Sequence, residues 1–131
     1  MVTDYGVAPV DLTELRAAVQ AIPQSAWVYR SDPESFTTCV VREGGPGFPA
    51  AASTVLEAVG LWAFGPGYFN RVVLSNVPSG CQILPHTDDF GEVVRQASVH
   101  CHLPLMTNPK AVMGGDAGDW YLEPGRLYVL D

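Results

Sequence analysis

The sequence predicts a mainly β domain with helices confined to its N-terminal part. Three observations carry this. Short runs rich in β-branched and aromatic residues crowd the second half of the chain, separated by Pro, Gly and Asn turns, a spacing typical of sandwiches and barrels. Helical periodicity occurs only before residue 65. At 131 residues, 47% hydrophobic and 16% charged, the chain can bury a core and is the size of one domain.

The elements follow in order. "DLTELRAAVQAIP" (11–23) reads as a helix: Leu12, Leu15, Val19 and Ile22 share one face, Asp11 and Glu14 have the spacing of a capping box, and Pro23 ends it. "SFTTCVVRE" (35–43) reads as a strand, and "GGPGFP" (44–49) as a loop. "AASTVLEAVG" (51–60) reads as a helix stopped by Gly60, and "GPG" (65–67) breaks the chain again. Strands are then expected at 68–77, 80–88, 97–107, 111–115, 119–124 and 125–131. No internal repeat or low-complexity tract is visible.

Composition excludes several classes. A net charge of −7 argues against nucleic acid as a partner and against a polybasic membrane surface role. No run approaches the ~20 apolar residues of a membrane span, and "MVTDYGVAPVDL" has no secretory pattern. Cys39, Cys81 and Cys101 form no CxxC pair, which fits reduced thiols and a cytoplasmic location better than a zinc knuckle. Trp27, Tyr29, Trp62, Phe64, Tyr68 and Phe69 are expected in the core rather than in a cleft. Asp116 and Asp119 read as turn carboxylates. Arg71 and Arg95 read as surface or structural pairs, each also able to receive a substrate carboxylate.

The histidines carry the chemistry. All three in the chain lie between residues 86 and 102, on two predicted strands. Strand side chains alternate faces, so in "PHTDD" His86 and Asp88 point one way and Thr87 the other. Such a pair offers one imidazole nitrogen and one carboxylate oxygen to a single cation. Two histidines and a carboxylate on one face make the triad of non-haem iron oxygenases, a mixed N/O set suited to iron(II). Alone, an HxD pair is also how any polar strand end meets water. "SVHCHLPL" adds His100 and His102, again sharing a face. Isolated, they read as half-buried histidines satisfied by their neighbours; clustered with His86 and Asp88, they read as part of a site.

"LPHTDDF", "RQASVHCHLPLMTNPKAVMGGD" and "DWYLEPGRLYVLD", in this order over roughly residues 70 to 131, resemble the aspartyl/asparaginyl β-hydroxylases. These are iron(II)- and 2-oxoglutarate-dependent oxygenases whose bacterial members include free-proline hydroxylases. The resemblance implies a double-stranded β-helix (jelly roll), with residues 1–67 a helical or mixed support and 68–131 the jelly-roll strands of a single domain. It implies His86 and Asp88 as metal ligands and His102 as a group holding the 2-oxoglutarate carboxylate. Where the family often has an arginine two residues earlier, this chain has His100, which falls to the same cosubstrate or substrate region. The family continues past the position of Asp131 to a third iron ligand, a histidine, and then an arginine for the far carboxylate of 2-oxoglutarate. The chain is therefore expected to be a C-terminally incomplete form of the domain.

The implied reaction is hydroxylation of an amino acid, an aspartyl/asparaginyl-type side chain or a related small molecule, with molecular oxygen as co-reactant. Two other readings stand beside it. One is a different metal-dependent jelly roll using His86, Asp88 and His100 or His102. The other is an inactive β-sandwich that binds a partner or assembles. Substrate and oligomeric state are not encoded in any motif.

Overall fold

The computed structural model describes residues 2–32, 36–67, 72–78, 100–115 and 118–130. They form two helices and three small β-sheets, so the mainly β expectation holds. The chain divides into two compact units, one of residues 1–12 with 87–131, the other of residues 13–86.

The continuous unit contains helix α1 (Thr13–Gln20), strands β2 (Val28–Asp32) and β3 (Phe36–Arg42), helix α2 (Ala50–Phe64) and strand β4 (Val73–Asn76). The three strands make an antiparallel sheet in the order β2–β3–β4. β3 is central, and its neighbours Val40 and Val41 are both buried although they point to opposite faces. α1 packs on α2, and Leu15, Ile22, Ala52 and Val59 are buried.

Three findings in this unit differ from the sequence reading. β2 was not expected there: its run "VYRSD" has little apolar alternation, and its ladder with β3 supplies what propensity lacks. α2 runs through Gly60 because Leu61 and Trp62 prolong the helical sequence, and one interior glycine costs only about 1 kcal/mol. The helix ends instead at Gly65, whose φ of 78° suits glycine and whose N–H donates to the Leu61 carbonyl at 3.1 Å. Trp62 and Phe64 are also exposed rather than in the core.

The loop between β3 and α2 is a loop for the expected reason. The Gly45 N–H closes a turn onto the Arg42 carbonyl at 2.9 Å, and Gly47 sits at a φ of 83°. Gly47 also lies against the 3-10 turn Gln24–Ala26: a Cβ at this position would stand 2.6 Å from the Ala26 Cβ. Only glycine satisfies both constraints.

The other unit contains β1 (Val2–Val7), β5 (His100–His102), β6 (Met113–Gly115), β7 (Gly118–Trp120) and β8 (Arg126–Leu130). β6 and β7 pair as an antiparallel ribbon. The main sheet has the order β1–β8–β5, antiparallel throughout, with Leu127 and Tyr128 of the central strand buried.

β1 was not expected either, since Asp4 and Gly6 interrupt its pattern. They form a bulge in the pairing with β8. The Asp4 carboxylate accepts the Gly6 N–H at 2.8 Å and the Arg126 Nε–H at 3.0 Å, pinning bulge and partner strand together. The Tyr128 hydroxyl accepts the Glu123 N–H at 2.8 Å, and the Gly125 N–H donates to the Pro104 carbonyl at 2.9 Å. The first bond holds the turn before β8 onto β8 itself, and the second ties it to the chain leaving β5.

Candidate functional site

β5 is the described part of the site. Its described part is His100–His102; it ends well before the expected 107 because Leu103 and Pro104 leave the ladder and proline has no N–H to give it, and residues 97–99 lie outside the described residues. Its pairing with β8 sets His100 opposite Leu130, Cys101 opposite Val129 and His102 opposite Tyr128.

The alternation of the strand puts the two histidines on one face, as expected from "HCH". Their ring centroids are 4.9 Å apart, and the rings are tilted by 48°. His100 is exposed and His102 half-buried, so the face grades from solvent toward the interior along one strand. Cys101 points the opposite way, and burial raises its thiol above the ordinary value of 9.0. It is therefore a protonated thiol at neutral pH, a poor nucleophile and a poor metal ligand.

His86 and Asp88, the expected metal ligands, lie outside the described residues, as do Arg71, Arg95 and Asp116. Among the described residues no group of three or more His, Cys, Asp or Glu side chains is placed to hold a metal ion. Asp119 is exposed on β7. Asp4 shares the histidine-bearing sheet but is already ion-paired with Arg126.

One concavity was not read from the sequence. A cleft of about 310 Å³ within residues 13–86 is lined by Ala26, Val28, Val40, Val41, Arg42, Gly45 and Pro46. The valines come from β2 and β3, and the rest from the turns beside them. Its signal was the exposed Val28, on a strand that propensity did not reveal. Its walls are mainly apolar, and neither His100 nor His102 is among its described lining residues.

Among the described residues no helix is long and apolar enough to cross a membrane. Compared with models of known families, with curated proteins and with solved structures, the chain matches none of them.

Proposed function

We propose that the chain belongs to an iron(II)- and 2-oxoglutarate-dependent oxygenase of the aspartyl/asparaginyl hydroxylase type, built on a double-stranded β-helix. The observation that carries the reading is the pairing of β5 with β8. Parts of two of the three sequence blocks that resemble the family, "HCH" and "YVL", are hydrogen-bonded neighbours, and they set His100 and His102 on one face of a sheet.

The donor chemistry fits the metal. His86 and Asp88 supply one nitrogen and one oxygen at strand spacing, the mixed set that iron(II) accepts, whereas the three cysteines have no spacing for a thiolate site. Iron(II) with 2-oxoglutarate supplies the oxygen activation that places a hydroxyl on a C–H carbon, with carbon dioxide and succinate released.

The chain's own residues have simpler tasks. His86 and Asp88 would hold the ion from one side, leaving positions for the cosubstrate and oxygen. His102, half-buried on the same strand face as His100, would donate a hydrogen bond to a 2-oxoglutarate carboxylate. His100, nearer solvent, would meet the outer part of the cosubstrate or the substrate. The substrate would be an amino acid, an aspartyl/asparaginyl-type side chain or a related small molecule.

The test is succinate formation from 2-oxoglutarate with iron(II), in a full-length protein that carries the third iron ligand and in its His86→Ala and Asp88→Ala variants. Activity on an accepted amino-acid-type substrate is expected in the unsubstituted full-length protein and absent from both variants, with far-UV circular dichroism unchanged. Asp88→Glu should fail as well, since one more methylene displaces the oxygen from a short metal bond. Succinate formation that survives both alanine substitutions would refute the assignment.

A further inference from the structure

We propose that His100 and His102 form a two-imidazole chelate for a divalent first-row transition ion, with water completing its coordination. The proposal uses no residue outside β5 and does not rest on the oxygenase reading; an ion held here competes with 2-oxoglutarate for His102. It starts from the ladder: pairing with β8 fixes three consecutive β5 residues, so the histidines project from one face and cannot alternate away from each other.

The ring separation then decides what the pair can do. An imidazole nitrogen binds such an ion at about 2.0–2.1 Å, which puts the metal about 3.2 Å from the ring centroid. Two rings meeting at one ion with angles between octahedral and tetrahedral have centroids about 4.5–5.2 Å apart. The observed separation is 4.9 Å. The side chains already stand at chelate distance, and the soft χ2 torsion of histidine turns the nitrogens toward a common point. His100 is exposed, so an ion can reach the pair from solvent.

The neighbours define the rest of the coordination. Leu130, opposite His100, offers no donor. The Tyr128 hydroxyl, opposite His102, is engaged by the Glu123 N–H. Asp4 lies on β1, two strands from β5, a distance of roughly 10 Å, and is ion-paired with Arg126. Cys101 faces the other way as a protonated thiol. The described part of this sheet thus supplies two nitrogens and no third ligand, which suits ions that keep several waters. Imidazole suits nickel, copper, zinc and iron.

Nickel(II) chloride is the probe, titrated calorimetrically into the untagged chain under reducing conditions. The parent should take one ion at this pair, in addition to any held by His86 and Asp88. His100→Ala and His102→Ala should each weaken binding by about 100-fold, the advantage lost when two weak donors no longer act together. His102→Gln, which keeps a polar side chain without imidazole, should behave like His102→Ala and guards against a folding artefact. The double variant His86→Ala/Asp88→Ala should keep the site, even if it abolishes succinate formation. No nickel binding by the parent would mean that the rings merely pack on one another, and would overturn the proposal. So would affinity that ignores either β5 substitution, or binding that disappears with His86 and Asp88, since the histidines would then belong to one composite centre.

Discussion

Replacing Gly47 by alanine probes the close approach of the β3–α2 loop to the 3-10 turn. Two penalties combine. A φ of 83° lies in the left-handed region, where an L residue costs about 1–2 kcal/mol. The new methyl would stand 2.6 Å from the Ala26 Cβ and 3.5 Å from Ile22 Cγ2. Ordinary carbon contacts begin near 3.5 Å, so the 3-10 turn must move by roughly 1 Å. Overpacking of this kind costs about 1–3 kcal/mol. Alanine also restricts the unfolded chain, which returns about 0.4–1 kcal/mol. The net loss is about 1–5 kcal/mol.

Gly44→Ala is the matched control: its φ is 80°, but nothing lies within 4 Å of the added carbon. It should lose only the conformational part, about 1–3 kcal/mol less than Gly47→Ala. Urea unfolding followed by tryptophan fluorescence measures both, with Trp27 adjacent to the contact. At a slope of about 1–3 kcal/mol per molar urea, the midpoints should differ by about 1 M. Equal midpoints would refute the close approach of Gly47 to Ala26.

The other predictions concern the sheet that carries the histidines. His102→Ala should weaken 2-oxoglutarate affinity by about 10- to 150-fold in an active protein, the loss of one charge-assisted hydrogen bond of about 1.5–3 kcal/mol, while iron(II) affinity at the His86 and Asp88 site changes far less; parallel titrations of both, with iron followed in the His100→Ala background, check this. Tyr128→Phe should cost about 0.5–1.5 kcal/mol in urea unfolding, because the Glu123 N–H loses its acceptor. Cys101 makes stability fall in alkali. Its folded pKa is raised by burial, so the unfolded chain loses the proton first; the contribution is whole below the ordinary 9.0 and is lost as pH climbs from there through the raised value. Cys101→Ser should remove that part of the alkaline decline in the urea midpoint.

The helices, β3, β4 and β8 were legible because local pattern and tertiary role agree in them. Leu15 and Ile22 show the helical period and are buried; Val40 and Val41 form a β-branched pair and fill the centre of a sheet. β1 and β2 were illegible because their local patterns are poor. Asp4 and Gly6 read as turn residues, and they do make a bulge, but one set within a strand whose partner is far along the chain. The common face of His100 and His102 followed from the two-residue period alone. Their ring separation did not, since it depends on rotamers set by the surrounding packing. The loss of Trp62 and Phe64 from the expected core has the same root: hydrophobicity names the residues able to be buried and not those that are.

The pairing of β1 with β8 has a kinetic consequence. The bond between Arg126 and Asp4 joins residues 122 apart in sequence. Closing a flexible loop of that length costs about 4 kcal/mol in chain entropy, and nothing repays it until the whole ladder forms. Residues 13–86 are continuous and can gather their contacts locally, even while the chain is still being synthesised. The histidine-bearing sheet must wait for β8, its central strand, to be made and to capture β1 and β5 on its two edges. Refolding should therefore be biphasic, with Trp27 and Trp62 reporting an early phase and Trp120, on β7, a late one.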